Sequence, residues 1–390
     1  MIVIDMKGEL AAVTARKRAE MGRVIILNPF EVGVEERPWL KSQGWNPLLQ
    51  LDPQSNDFEG DATCIADAII EKGFGAGKFF QDMAQIVVAG LVMWECFTKG
   101  KNASLCSIPN ELCKPADELL HTFKSMAECK KVEAIKRIGG YLHARLTDEN
   151  SRSTAIQDVV ATIISSTSFL DHPSMTHDLE EGSGIDFAAL RREITTVYLI
   201  LPPHEIETQA KWLRLFVNLS LRKLYQAPPS KAGHSVPVVY MLDEFGNLGW
   251  LSQIQTALSV SRSYKIQLWV FLQYVGQLKA SYGDKWTAFF AGAGAITTFR
   301  AGDSETAEEL FKLYGNKEEL VPTLNAQGGI SNTPHAVPLI RPEDIGRLDK
   351  GVTINLIEGC PMPIVGFADI YPRLSTAMIA GLDPHPDYPA

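Results

Sequence analysis

The chain has 390 residues, 45% hydrophobic and 21% charged, with 37 basic against 46 acidic side chains and a formal net charge of -9. That length gives one large domain or two to three smaller ones with ample core, and the composition excludes a disordered or collagen-like chain. The acidic balance argues against a free-standing nucleic-acid binder, which needs a local excess of Lys and Arg, although a ring of subunits concentrates a few basic residues in a channel.

Apolar runs such as Ile86 to Trp94 reach about half of the ~20 residues of a membrane-spanning helix. Asp5, Lys7 and Glu9 lie where a secretory signal has its apolar centre. The chain as given is therefore expected to be cytoplasmic. Six cysteines at scattered spacings, with no C-x-x-C pair or histidine cluster, read as reduced thiols rather than a zinc site.

In chain order, Ile2 to Asp5 and Arg23 to Leu27 read as short buried strands. Helical patterns follow at 62 to 72, 79 to 98, 116 to 127, 131 to 146 and 152 to 170. Strands resume at Ile194 to Leu201, Val236 to Leu242, Lys265 to Leu272, Ile296 to Phe299 and Val352 to Ile357. Most are continuous apolar runs, as in strands buried on both faces of a parallel sheet. The pattern is an α/β domain with an all-α insertion, and its expected linkers are Lys99 to Asn110, Leu179 to Gly184, Ala227 to Ser235 and Asn325 to Pro338.

The strongest local signal is VPVVYMLDEFGNLG, a buried strand that ends in Asp243 and Glu244 and runs into a glycine-containing turn. Carboxylates at the carboxyl end of a central parallel strand lie where open α/β sheets bind ligands. In the Walker B arrangement of nucleotide-hydrolysing motors, Asp243 holds Mg²⁺, usually through water, and Glu244 orients and deprotonates the attacking water. The alternative is that the pair caps the next helix; the hydrophobic strand directly before it favours the functional reading. Gln273, at the end of the next strand, stands where a sensor of the γ-phosphate lies, or else starts a surface helix. Arg262, just before that strand, is either an arginine finger for a neighbouring subunit or a solvated charge.

Two look-alikes carry no such chemistry. Gly73 to Lys78 (GFGAGK) lacks the Gly required at position 72 and the Ser or Thr required at position 79, and it follows a helix, so it reads as an interhelical turn. DEFG lacks the rest of the kinase motif set. No other Gly-Lys-Ser/Thr loop occurs, so the backbone cradle and lysine that hold β- and γ-phosphates are absent from the sequence.

Four stretches, in order, resemble the coupling proteins of type IV secretion and bacterial conjugation, the TraG-type motor ATPases. They are IVIDMKGELAAVTARKRAEMGRVIILNPF with its D-x-K-G-E, YMLDEFGNLG with SRSYKIQLWVFLQYVGQLKASYG, GDSETAEELFKLYG, and RPEDIGRLDKGVTINLIEGCPMPI. The resemblance implies a RecA-like P-loop NTPase domain, here with an incomplete sheet, built from residues 1–50 and 186–390 and bearing an all-α domain over 51–185. It implies a homohexamer at the cytoplasmic face of the bacterial inner membrane, which uses ATP and Mg²⁺ to pass relaxase-bound single-stranded DNA or a protein substrate to the secretion channel. By position it makes Asp243 the Mg²⁺-associated residue, Glu244 the catalytic glutamate, Gln273 the sensor and Arg262 the finger in trans. Asp5, Lys7 and Glu9 match the strand beside the nucleotide site, with a structural or channel-facing role.

Met6 replaces the usual proline. The family's membrane segment and Walker A loop precede the strand with which this chain begins. The expectation is a truncated form that binds ATP weakly or not at all, in which Val238 to Leu242 lacks the central strand beside which it packs. A non-catalytic adaptor that keeps the docking surfaces is the alternative, and a generic helicase or packaging ATPase does not account for D-x-K-G-E. The basic stretches Lys130 to Arg137 and Lys211 to Lys223 line a DNA path or form solvated helix faces.

Overall fold

The computed structural model describes residues 1–71, 78–147, 154–229, 235–324, 330–369 and 371–388. The glycine-rich stretch from Gly73 to Gly77 and the middle of the Ala227 to Ser235 linker lie outside the described residues. The chain divides into two compact units, Met1–Phe271 with Gly381–Ala390, and Leu272–Ala380.

The first unit is built on β1 (Ile2–Asp5), β2 (Arg23–Leu27), β3 (Thr195–Ile200), β4 (Val238–Leu242) and β5 (Ile266–Val270), a parallel sheet in the order β2-β3-β1-β4-β5. Between β1 and β2 runs α1 (Glu9–Met21), whose Ala11, Ala12 and Ala15 let it sit closely on Val3, Ile26, Tyr198 and Ile200. The strands β1 and β3 are buried along their whole length, as their unbroken apolar sequences require.

The position of β4 corrects one expectation. Val238 to Leu242 does not lack a neighbour: β1 pairs with it on one side, with Ile4 opposite Leu242, and β5 pairs with it on the other, with Val239 opposite Gln267. A strand this apolar gains most from partners on both edges, and β1, inserted between β3 and β4, supplies the second. The edges of the sheet are β2 and β5.

From Phe58 to Glu180 every regular element among the described residues is helical. These are α2 (Phe58–Ile69), α3 (Lys78–Lys99), α4 (Ser107–Leu112), α5 (Ala116–Ala127), α6 (Glu133–Thr147), α7 (Thr154–Thr167) and α8 (Pro173–Glu180). The expected linker Lys99 to Asn110 contains a single helical turn at Gly100–Asn102 and the start of α4, because Pro109 falls in the first turn, where its missing N–H costs nothing. Likewise Pro173 opens α8 at its first position, and the His172 ring nitrogen accepts from the Ser174 amide at 3.2 Å. The helix α8 therefore reaches into the expected linker Leu179 to Gly184.

The helix α9 (Ile206–Gln226) joins this region to the sheet. It buries Trp212, Leu213, Phe216, Leu219 and Leu224, with the Phe216 ring packed edge-on against Trp45 and Phe187 at 4.8 and 5.4 Å. Asp61 of α2, fully buried, receives hydrogen bonds from Arg222 Nε at 2.5 Å, from Gln226 Nε2 at 2.6 Å and from Lys223 Nζ. The helix α10 (Ser252–Val260) packs on α9 and leads into β5.

The second unit contains α11 (Gly276–Tyr282), α12 (Thr287–Ala291), β6 (Ala295–Thr298), α13 (Ser304–Tyr314), β7 (Asn316–Leu324), β8 (Ile330–Pro338), α14 (Pro342–Ile345), β9 (Val352–Ile357), β10 (Ile364–Phe367) and α15 (Thr376–Ile379). The strands β10, β9 and β6 form an antiparallel sheet, and Leu310, Tyr314, Ile345 and Ile354 centre its core. The expected linker Asn325 to Pro338 is corrected: its described part, β8, pairs antiparallel with β7 over nine residue pairs, from Asn316 opposite Pro338 to Leu324 opposite Ile330. Pro334 and Pro338 suggested a loop, but a strand with only one partner tolerates proline.

Removing the Asp61 carboxylate leaves Arg222 and Lys223 as uncompensated charges against α2. Asp61→Ala is expected to lose about 3–5 kcal/mol of stability, measured as a fall in the urea midpoint, whereas Glu59→Ala, which breaks only an exposed pair with Arg137, is expected to cost less than about 1 kcal/mol.

Candidate functional site

Ile4 and Leu242 face each other across two adjacent parallel strands, so the residues that follow them, Asp5 and Asp243, emerge together at the carboxyl end of the sheet. This is the end at which open α/β sheets bind ligands. The chain leaves β1 through Met6, Lys7 and Gly8. Gly8 has φ 72, a left-handed conformation that glycine adopts without penalty, so glycine is what lets the chain turn from β1 into α1 here.

With no side-chain cap from Gly8, the first turn of α1 is satisfied by Asp5, which accepts the Ala11 N–H at 2.7 Å. Burial pushes the Asp5 carboxyl up to about 6, and the backbone N–H groups of Ala11, Leu10 and Lys7 pull against that shift. Lys7 and Glu9 form an ion pair at 3.4 Å at the same end. Residues from the end of the chain reach this helix too: His385 Nε2 lies 3.7 Å from Glu9, and Asp383 pairs with Arg16 at 3.5 Å. No sequence signal links positions nearly 380 residues apart.

Asp243 is half-buried, and its carboxyl is raised. Burial is the main cause, the Glu244 N–H opposes it, the charges of Glu244 and Glu9 add to it, and Lys7 counteracts them. Asp243 and Glu244 on β4 thus share one electrostatic field with Lys7 and Glu9 after β1. Glu244 adopts φ 50, a left-handed conformation rare outside glycine, at a cost on the order of 1–3 kcal/mol.

The surroundings over-determine that geometry. The Phe245 N–H donates to the Phe271 carbonyl at 3.2 Å, the Phe271 N–H to the Leu242 carbonyl at 3.1 Å, and the Asn247 N–H to the Glu244 carbonyl at 2.9 Å. Phe245 and Leu248 are buried beneath a single helical turn over Phe245–Leu248. Strain held this way is typical of residues aimed at a ligand.

No group of three or more His, Cys, Asp or Glu forms a metal cage among the described residues. Asp243 and Glu244 nevertheless fit a hard divalent cation of the Mg²⁺ type, which binds through one or two carboxylates and keeps waters and substrate phosphates as its other ligands. The raised Asp243 carboxyl is a group that such a charge would stabilise in its ionised form.

Arg262 is exposed in the turn that precedes β5, at the amino end of the strands. With five residues of β5 at roughly 3.3 Å each, it lies on the order of 15 Å along the sheet from the Asp243 end. The structure does not bring it to the carboxylates of its own chain. Gln273 belongs to the second unit, is exposed, and its N–H donates to Gln277 Oε1 at 3.0 Å in the turn into α11.

Because the folded state holds the Asp5 proton up to about 6 against an ordinary value of 3.8, stability from this group is present at pH 4 and lost as pH rises through 6. Relative to wild type, Asp5→Asn is therefore expected to gain about 2 kcal/mol between pH 4 and pH 7, read from urea unfolding at the two values. The reverse trend would mean that the α1 terminus outweighs burial and holds Asp5 ionised.

The chain matches the family described as type IV secretory system conjugative DNA transfer over residues 1–371. It is 25% identical over 372 residues to the protein VirD4 of Rhizobium rhizogenes, covering 93% of this chain and 53% of VirD4. It is 23% identical over 378 residues to the conjugal transfer protein TraG of Rhizobium radiobacter, covering 93% of this chain and 56% of TraG. The chain spans about half the length of the curated relatives it matches.

Its fold matches that of the bacterial conjugative coupling protein TrwBdeltaN70 with a TM-score of 0.71 at 14% identity, covering 95% of this chain and 78% of that one. The plasmid coupling protein TrwB in complex with ADP and Mg²⁺ matches with the same TM-score of 0.71 and the same coverage. The fold is thus α/β, that of the coupling protein TrwB, with a parallel central sheet. With a parallel sheet of that type and a match running from the first residue through most of the chain, this protein belongs to the family of type IV secretory system conjugative DNA transfer proteins, the coupling proteins of VirD4 and TraG type.

Proposed function

We propose that this chain carries the hydrolytic half of a coupling-protein motor, which drives relaxase-bound single-stranded DNA or a protein substrate into a type IV secretion channel at the cytoplasmic face of the inner membrane. The observation that carries the reading is the pairing of Asp243 with a strained Glu244 at the carboxyl end of β4, beside the D-M-K-G-E turn of β1.

Bound Mg²⁺, held through water by Asp243, would neutralise the charge on the β- and γ-phosphate oxygens. Glu244 takes the proton of the attacking water and orients its lone pair toward the γ-phosphorus. Lys7 and Glu9 set the local field around Asp243. Gln273 acts as the sensor of the γ-phosphate. Arg262, exposed and at the far end of its own sheet, serves the site of a neighbouring copy in a homohexamer. Residues 1–50 and 186–390 form the motor, and the helices within 51–185 recruit the substrate.

The phosphate-binding half comes from outside these 390 residues, because the sequence holds no G-x-x-x-x-G-K-[ST]. The edge strand β5 supports this reading. Its sequence, IQLWV followed by FL, is of the kind found inside a parallel sheet, yet Trp269 is 54% and Phe271 42% exposed. A parallel strand added along β5 covers them and brings its loop to the carboxyl end of the sheet, where the carboxylates are.

The test combines the chain with a polypeptide carrying a strand, a G-x-x-x-x-G-K-S loop and a helix. ATP turnover is expected in the mixture. Glu244→Gln is expected to lower it at least ~100-fold and to leave ATP binding in place; equal turnover in that variant removes Glu244 from the mechanism. Arg262→Ala chains are likewise expected to be inactive alone and to regain activity when mixed with Glu244→Gln chains, since each supplies what the other lacks. No recovery on mixing would contradict a role in trans.

A further inference from the structure

The helix α9 carries a buried cation that this mechanism does not use. Arg214 is only 5% exposed, and its sole ion pair among the described residues is with Glu71 at 2.8 Å, just beyond the end of α2. Its Nε is buried without a hydrogen-bond partner. The other side of the guanidinium lies against the catalytic turn: a Cβ placed on Gly249 would stand 3.4 Å from Arg214 Nη1. Gly249, at φ 65, ends the D-E-F-G-N-L-G turn. One helical turn earlier, Lys211 donates to the Ser166 carbonyl of α7 at 2.9 Å, and its pKa is lowered by burial and by Arg214 and raised by Glu71.

These contacts are unequal in a way that matters. Arg214 is locked in the interior, while Glu71 is 62% exposed and open to any group that approaches the helical region. A buried guanidinium with one carboxylate partner has no second place to put its charge. When Glu71 moves, Arg214 loses its carboxylate partner, and its Nη1 stands beside Gly249, within van der Waals reach of a side chain placed there. That glycine is separated from Glu244 by a single helical turn whose buried Phe245 and Leu248 transmit displacement rather than absorb it.

We propose that Arg214 is a positioning residue that makes the geometry of the Asp243–Glu244 turn depend on Glu71, so that events in the helical region reach the carboxylates through one buried cation. The proposal rests on reading Asp243 and Glu244 as the hydrolytic site, but the link itself is testable without nucleotide.

Hydrogen exchange of the full chain reads it directly. In Glu71→Ala, the amides of Phe245 to Trp250 are expected to gain at least ~5-fold more exchange than the other amides of the first unit, and Glu71→Asp is expected to restore most of the protection. Glu59→Ala, which breaks an exposed pair on α2, the helix that precedes Glu71, is expected to leave those amides as they are. Arg214→Leu is expected to give the same local signature; if that variant does not fold, Glu71→Ala alone decides. Unchanged exchange over Phe245 to Trp250 in Glu71→Ala overturns the proposal. So does a uniform acceleration throughout the first unit, which assigns the pair a general structural role. Neither outcome bears on whether Glu244 activates water, so failure here is distinguishable from failure of the hydrolytic reading.

Discussion

The constraint on which the first unit depends is the placement of carboxylates at the ends of two neighbouring parallel strands. Ionised carboxylates resist burial and repel one another. The fold meets this by surrounding Asp5 with the free N–H groups at the start of α1, by leaving Asp243 half-exposed, and by bringing Lys7 beside both Glu9 and Asp243. Gly8 and the left-handed Glu244 are the backbone conformations that this placement requires. The alanine face of α1 and the buried Phe245 and Leu248 of the turn after Glu244 hold them in place.

The same arrangement explains why α9 is central. It is buried along its length, it carries Arg222, Lys223 and Gln226 to Asp61 at one end of its contact with α2, and Arg214 to Glu71 at the other. Two buried ion pairs of opposite design result. In the first, a buried carboxylate is over-satisfied by three donors and fixes α2 in place. In the second, a buried guanidinium is under-satisfied by one exposed carboxylate and can respond to its surroundings.

Much of this was legible in the sequence. Mostly apolar runs located β1 to β5, and the strand before Asp243 and Glu244 identified the carboxyl end of the sheet. What escaped had specific causes. The helices α4 and α8 begin around Pro109 and Pro173, which read as breakers until their first-turn positions are known. The strand β8 carries prolines that only a single-partner strand accepts. The neighbour of β4 is a matter of strand order, which pattern does not carry, and the contacts of Arg214 with Glu71 and of His385 with Glu9 join residues more than a hundred positions apart.

On the proposed reading, the chain holds the Mg²⁺ and water-activating side of a nucleotide site and takes up the phosphate-binding side along β5. Calorimetric titration with ATP and Mg²⁺ tests it most directly, first on the chain alone and then after addition of the loop-bearing polypeptide. No measurable binding is expected alone and saturable binding in the mixture, abolished by Asp243→Ala and by Trp269→Asp. Tight binding by the chain alone, indifferent to Asp243→Ala, would contradict it.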